Sequence, residues 1–311
     1  MKTRLIPIIV ILIAIISVSV LWWHGKSASS RVQVIHTVSY SNAAVFLAVR
    51  DYSEKLERYF VPDPGKHVEA LLASATSRPV VSVTPFSNAL IAMAKNPNLV
   101  IISGSGLNGL SLLSSLGSAL DNLAGKRIGT ARGDSLELFL YEAMSPRPYE
   151  PVYFTDPFLL VTAATNKQID AATHVEPFAT ELTSAGLTRV LTSKSLWGDH
   201  PDAVVLTTRE TIVRFRPALV NLLVILLGKE NQIKKSPEGA ANALAEFYKM
   251  SPSQLTRILG FQEPRIDIRN FVPFFEQRLG TLMALKYIDS KPKIAQLFDW
   301  SLLEEATKHS Q

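Results

Sequence analysis

The sequence predicts an α/β protein with a helical C-terminal region and a hydrophobic helix before its first strand. Three observations lead to this prediction. Short apolar runs alternate with turns and helical patterns as far as residue 208, long helical patterns follow from Arg209, and the first 23 residues are strongly apolar. Recurrent strand–turn–helix units of this kind are typical of mostly parallel sheets with helices on both faces.

The N-terminal segment has the composition of a membrane-inserting helix. Lys2 and Arg4 precede an uncharged stretch from Leu5 to Trp23, which is longer than a usual signal-peptide core and long enough to span a bilayer. Residues 1–30 are therefore either an uncleaved anchor with a tether or a signal peptide cleaved near Ala28. In both cases the positive N-terminus stays in the cytoplasm, so the rest of the chain is expected in the periplasm or on the outer face of the cytoplasmic membrane.

The remaining elements follow from hydrophobic period and from cap and turn residues. Asn42, Asp134 and Pro252 are residue types that favour helix starts. The predicted strands are 32–38, 80–83, 99–103, 126–130, 152–154, 169–173 and 203–207. The predicted helices are 43–52, 88–95, 135–144, 156–167, 176–185, 210–229, 237–249, 252–259, 270–286 and 301–308.

Composition excludes several classes of function. The 311 residues include no cysteine, so there is no disulfide framework and no thiolate metal site. Lys2, Arg4 and Lys26 account for much of the net charge of +5; without them 29 basic and 27 acidic residues remain, which is a poor basis for binding nucleic acid. The histidines are dispersed and no catalytic motif is recognisable, so we predict no metal site, no cofactor and no enzymatic activity.

Candidate binding residues lie in four turns that follow predicted strands. Open α/β sheets bind ligands where strands end and helices begin. The guanidinium of Arg132 favours an anionic solute, whereas a carboxylate at Asp134 would repel one. Alternatively, these turns serve only as helix caps. The predicted ligand-binding residues are Ser39, Tyr40, Ser41, Asn42, Thr84, Phe86, Ser87, Arg132, Gly133, Asp134, Ser135, His174 and Glu176.

Several segments together resemble the nitrate/sulfonate/taurine group of substrate-binding proteins of ABC transporters. Residues 121–130 are similar to the start of the second lobe in that family. Residues 168–178 are similar to a later strand and its turn, and residues 236–241 to the helical tail. The likeness covers most of residues 32–307. Two departures stand out, since Val175 replaces a common tryptophan and residues 58–64 lack a clear strand.

The resemblance implies a two-lobed type II periplasmic-binding-protein fold. Lobe 1 would comprise residues 32–120 and 206–311, and lobe 2 residues 121–205. It also implies a monomeric receptor that closes over a small solute, with anions favoured by Arg132, and delivers it to an ABC permease and its ATPase. The alternative is a membrane-anchored sensing ectodomain, or a diverged binding protein without a transport role.

Overall fold

A computed structural model describes residues 31–75 and 77–309 of the chain. The predicted N-terminal helix, anchor or signal peptide, residues 1–30, lies outside the described residues. The strands are β1 (Val32–His36), β2 (Leu56–Phe60), β3 (Val80–Pro85), β4 (Leu99–Asn108), β5 (Ser111–Ser114), β6 (Arg127–Thr130), β7 (Glu150–Tyr153), β8 (Ala171–His174), β9 (Thr188–Thr192), β10 (Pro201–Thr208) and β11 (Gln262–Pro264).

The α-helices alternate with these strands in the first two thirds of the chain and dominate its last third. They are α1 (Ala43–Asp51), α2 (His67–Ser74), α3 (Phe86–Lys95), α4 (Ser135–Met144), α5 (Pro157–Thr165), α6 (Phe178–Ser184), α7 (Ser193–Trp197), α8 (Arg209–Lys235), α9 (Pro237–Tyr248), α10 (Pro252–Ile258), α11 (Val272–Ala284) and α12 (Ser301–His309). The α/β class and the helical C-terminal region are confirmed.

The strands form two sheets. The first has the order β11-β4-β10-β3-β1-β2, and the second β7-β6-β8-β5-β9. Strands β1, β2 and β3 pair in parallel, as do β6, β7 and β8, but β10 is antiparallel to both β3 and β4, and β5 is antiparallel to β8 and β9. The prediction of mostly parallel sheets was therefore wrong: crossover helices join only part of each sheet, and strands returning from the other sheet insert antiparallel.

Both faces of the first sheet are covered by helices. In β10, Ala203 and Val205 belong to one hydrophobic cluster, and Val204 and Leu206 to a second cluster on the opposite face. Successive side chains of a strand point to opposite faces, so a continuous apolar run is what a doubly covered strand requires. This explains why the run was recognisable from sequence.

The chain passes between the sheets twice. Residues 109–110 join β4 of the first sheet to β5 of the second, and residues 193–200 lead back from β9 to β10. Sheet membership therefore does not follow the predicted lobe limits at 120/121 and 205/206. We propose lobe bounds at the crossings instead, with lobe 1 formed by residues 31–108 and 201–309 and lobe 2 by residues 111–192.

Four short strands went unrecognised in the sequence, and three of them, β2, β9 and β11, lie at the edge of a sheet. Strand β2 lies where no clear strand was expected, and pairs in parallel with β1 from Val32–Leu56 to His36–Phe60. Strands β5 and β9 lie in the second sheet, and β11 lies between the predicted helices 252–259 and 270–286, where no strand was predicted. The three edge strands have little apolar pattern, because only part of each is buried; β2 has one buried residue, Leu56. Strand β5 is fully buried, but its four residues are too few to show a period.

Helix α8 is the one helix of the described residues that is long and apolar enough to cross a membrane. Its buried side chains, among them Leu219, Leu222 and Leu226, belong to the core of the first sheet, where it packs against α1 and α12. We therefore interpret its hydrophobicity as that of a core helix. It is kinked at Phe215, two residues before Pro217.

Gly106 of β4 allows the turn at residues 39–42 to approach the sheet. A Cβ atom at position 106 would lie 2.7 Å from the Ser41 Cβ and 2.8 Å from the Ser41 Cα. We expect Gly106→Ala to lower the free energy of unfolding by about 1–3 kcal/mol, because backbone must move to admit the methyl group. Gly228→Ala in α8, where nothing lies within 4 Å, should be neutral or stabilising in the same denaturation experiment. Equal stability of both variants would contradict this account.

Candidate functional site

A cavity of about 70 Å³ lies between the two lobes. Lobe 1 contributes the turn after β1, the end of β3 and the start of β10. Lobe 2 contributes the start of α4, the loop before α5 and the end of β8. The cavity therefore lies where strands of both sheets end and helices begin, as expected for open α/β sheets.

The structure brings six of the predicted residues to this cavity. They are Ser39, Ser41, Asn42, Thr84, Asp134 and His174. The seven others, Tyr40, Phe86, Ser87, Arg132, Gly133, Ser135 and Glu176, are not part of its lining. Ligand contact remains a prediction for all of them.

The turn after β1 presents hydroxyl and amide groups in a fixed arrangement. The Ser39 hydroxyl lies 2.7 Å from that of Ser41 and accepts a hydrogen bond from the Ser41 N–H. The Asn42 Nδ2 donates to the carbonyl of Thr37 at 2.8 Å, and so the amide does not cap α1 as predicted. Since the Asn42 Nδ2 is engaged in this way, the remaining polar atom of the side-chain amide is the acceptor Oδ1.

Two polar atoms of the lining are buried without a partner. The side-chain Oδ1 of Asn42 and the Oγ1 of Thr84 make no hydrogen bond to any described residue. Both residues are at most 1% exposed. A buried polar atom without a partner costs free energy, so unpaired atoms at a cavity wall indicate positions where a solute or water would bind.

Two carboxyl groups face the cavity from opposite lobes. Asp134 caps α4, accepting from the Leu136 N–H at 3.0 Å, and Asp202 of β10 accepts from the Gln262 Nε2 at 2.7 Å. Burial, opposed by these hydrogen bonds, raises the pKa of Asp134 to about 7 and that of Asp202 to about 8. The charge of Asp134 further raises the pKa of Asp202, so the two groups act on one another.

His174 lines the cavity as a neutral ring. Its Nδ1 accepts from the Val175 N–H at 3.0 Å, so the Nε2, 3.2 Å from the Pro157 carbonyl, carries the proton and donates. Complete burial lowers its pKa to about 4. Because both nitrogens are bonded to backbone, the ring shapes the cavity wall but brings no charge to it.

Arg132 lies in a separate surface groove. Its guanidinium stacks on the Tyr153 ring at 4.1 Å, and it lines this groove together with Gly133 and Tyr287. Gly133 has a φ of +70°, and its N–H donates to the Glu137 carboxylate at 2.6 Å. The chain turns sharply here, which directs Arg132 away from the cavity while Asp134 faces it.

Glu176, Tyr40 and Phe86 are held by the surrounding structure. The Glu176 carboxylate pairs with Arg189 at 2.8 Å and accepts from the Thr180 N–H. The Tyr40 ring packs on Tyr248 at 5.3 Å. Phe86 is fully buried in a cluster of aromatic side chains that includes Trp197, Phe274 and Phe275.

Hydrogen bonds cross the cleft around the cavity. The Ser87 and Ser135 hydroxyls lie 3.3 Å apart, and the Tyr40 N–H donates to the Glu176 carbonyl at 2.8 Å. These four residues were predicted to bind ligand, whereas in the structure they link the two lobes.

A second set of links joins α4 of lobe 2 to the C-terminal part of lobe 1. The Tyr287 hydroxyl donates to Glu137, and Arg278 pairs with Glu142, each at 2.5 Å. The Thr281 hydroxyl also donates to Glu142. The structure is therefore that of two lobes held together over the cavity.

Asp202 and the apolar wall of the cavity were not predicted from the sequence. Val38, Leu110, Phe154 and Phe178 line the cavity and were assigned no role. The one available signal for Asp202 was an isolated acid at the start of an apolar strand, where a charged residue is unusual. Among the described residues no cluster of three or more histidine and acidic side chains could hold a metal ion.

One protein-family model matches part of the chain. The model of the NMT1-like family matches residues 154–247. No curated protein sequence is significantly similar to the chain.

Three solved structures superimpose on most of the chain. The zinc-bound ligand-binding component of an ABC-type import system from Staphylococcus aureus has 14% identity and a TM-score of 0.76, covering 89% of this chain and 99% of its own. The nitrate-binding protein NrtA from Synechocystis has 14% identity and a TM-score of 0.74, with coverage of 90% and 89%. The aliphatic sulphonate-binding protein SsuA from Escherichia coli has 15% identity and a TM-score of 0.70, with coverage of 87% and 92%.

These likenesses confirm the predicted fold. The chain has the two-sheet α/β fold of periplasmic binding proteins.

Proposed function

We propose that this chain, which has the fold of the substrate-binding proteins of ABC import systems, is a solute-binding receptor. It captures a small solute between its two lobes and delivers it to an ABC permease and its ATPase. The observation that carries the proposal is the cavity itself, which is lined by residues of both lobes, two of which have buried polar atoms without a partner.

The cross-cleft hydrogen bonds support capture by hinge closure. Ser87 with Ser135, and Tyr287 with Glu137, can form only when the lobes meet. A solute that contacts both lobes favours the closed state by its differential affinity for that state. The permease would thus recognise the loaded receptor by its closed conformation, and no covalent chemistry would be needed.

Location and assembly are part of the same proposal. The apolar segment 5–23 exports the chain or anchors it, so that the lobes act in the periplasm or on the outer face of the cytoplasmic membrane. The receptor acts as a monomer, with no enzymatic activity and no cofactor. The periplasmic neighbours support this location.

The cavity does not support the negative charge that the sequence suggested for the solute. Arg132 suggested an anion, but it lies outside the lining, which contains no lysine or arginine among the described residues. Nitrate and sulphonate are named for two neighbours. The receptor function is proposed here without the anion.

A thermal-shift screen of the full chain in detergent tests the receptor. The panel holds nitrate, bicarbonate, taurine, sulfonates, phosphonates, amino acids, pyrimidines and small amines. A true ligand should stabilise the fold by ~2.7 kcal/mol at a hundredfold excess over its dissociation constant. Silence across the whole panel would contradict capture, and co-purification with a partner other than a permease would favour the sensing alternative.

A further inference from the structure

We propose that the solute of this receptor carries a cationic nitrogen, an amine or amidine on a small apolar body, which binds between Asp134 and Asp202. The inference rests on the receptor function proposed above and deepens it. Three independent features of the cavity support it: the carboxyl pair, the unpaired acceptors and the apolar wall.

The carboxyl groups lack a compensating cation. The charges that act on Asp134 are those of Glu137 and Asp63, and the charge that acts on Asp202 is that of Asp134. All of these are acidic. Asp134 and Asp202 are respectively 6% and 4% exposed, so water screens them poorly.

The raised pKa of Asp202, about 8, keeps this carboxyl largely protonated at pH 7 in the unliganded protein, and an ammonium group between the two lobes would favour its ionised form. The ammonium group donates up to three hydrogen bonds and accepts none, and a carboxylate accepts from it strongly. An anion in the same place would find no cationic partner, because the lining contains no lysine or arginine among the described residues. His174 cannot supply this cation, because its ring is neutral and both nitrogens are bonded to backbone.

The two unpaired side-chain oxygens, of Asn42 and Thr84, are also suited to a solute that donates hydrogen bonds. The Asn42 Oδ1 can only accept a hydrogen bond, because an amide oxygen carries no hydrogen, and the bond from Nδ2 to the Thr37 carbonyl fixes the orientation of the amide. The Thr84 hydroxyl can accept as well, and both residues are almost completely buried. These atoms belong to lobe 1, close to the Asp202 strand in the sheet, since Thr84 pairs with Val204 of β10.

The apolar wall and the size of the cavity restrict the rest of the solute. Val38, Leu110, Phe154 and Phe178 line the cavity together with the two carboxyl groups. A cavity of about 150 Å³ accommodates benzene, so about 70 Å³ in the closed state fits a body of only a few carbon atoms. Dissociation constants for such small ligands are expected in the range of tens of micromolar or weaker.

Three solutes with the same three-carbon body provide the test. We would titrate the full chain with n-propylamine, 1-propanol and propanoate by calorimetry at pH 7 and constant ionic strength. The amine should bind at least about 10-fold more tightly than the alcohol, and propanoate should show no binding. Equal or tighter binding of propanoate or 1-propanol, or no binding of the amine, would overturn the inference.

Substitution of the carboxyl groups identifies the site. Asp202→Asn and Asp134→Asn should each weaken amine binding by about 10- to 100-fold, the usual effect of losing a charged hydrogen-bond partner. Asp289→Asn, at an exposed position, should not change it. Amine affinity that is unchanged in both cavity variants would overturn the inference, since it would place the cation elsewhere.

The experiments distinguish a failure of the proposed receptor function from a failure of the proposed solute class. An anion or neutral solute found in the thermal-shift screen would leave the receptor in place and overturn the cationic class. Silence of the entire screen would overturn both.

Discussion

Replacing Arg189 by alanine should lower the free energy of unfolding by about 3–5 kcal/mol, the usual cost of removing one partner from a buried ion pair. The Glu176 side chain has no exposed surface, and Arg189 is its cationic partner at 2.8 Å. Without the guanidinium, the carboxylate keeps the Thr180 N–H as a donor but loses its charge compensation. Arg189 also contacts the Ser111 hydroxyl and the Phe261 ring, so its packing is lost as well.

Chemical denaturation of three variants separates the charge from the packing. Arg147→Ala is the matched control, because its pair with Asp121 is exposed and should contribute at most about 1 kcal/mol. The double change Glu176→Gln with Arg189→Met should recover much of the loss, since it removes both charges and keeps an apolar stem. If Arg189→Ala were as stable as the wild type, Glu176 would not depend on this pair.

Replacing Asp202 by asparagine should stabilise the unliganded protein, and the gain should grow with pH. The pKa of Asp202 is about 8 in the fold, raised first by burial and then by Asp134, whereas an unfolded aspartate titrates near its ordinary value of 3.8. Between these values the folded state holds more protons than the unfolded state, so stability falls as pH rises. Asparagine removes this loss, and the gain should reach roughly 2–5 kcal/mol above pH 8.

Urea denaturation of both proteins at several pH values measures the effect. The pKa values of the buried His36, His174 and His200 are lowered to about 4, so stability also falls as pH drops from 6.5 toward 4. Both proteins share these histidines, so their contribution cancels in the difference. Asp289→Asn, at an exposed position, should have the same pH dependence of stability as the wild type. A gain for Asp202→Asn that does not depend on pH would contradict the raised pKa.

The candidate site was only partly accessible from the sequence. Ser39, Ser41, Asn42, Thr84, Asp134 and His174 were predicted because turn chemistry is local, and the structure brings these six to one cavity. Arg132 differs from Asp134 by two positions, but the positive φ of Gly133 directs the two side chains to different surfaces. Neighbouring residues of a turn can therefore serve different surfaces, and spacing alone does not reveal which one is used.

Asp202 shows a second limitation of the sequence, which is that two residues far apart in the chain can meet in the fold. It lies far from Asp134 in the chain, on a strand that returns from the second sheet and inserts between β3 and β4. Nothing in the local pattern around residue 202 indicates an acidic partner from the other lobe. Their mutual effect arises only where the lobes meet.

The sequence by itself determined the order of strands and helices, the α/β class, the helical tail and the resemblance to solute receptors. These features depend on hydrophobic period and cap residues, which act within a few positions of the chain. Only the tertiary structure decided the lobe crossings, the antiparallel strands and the acidic character of the cavity. These depend on contacts between distant residues, whose burial sets both their partners and the energy of their charges.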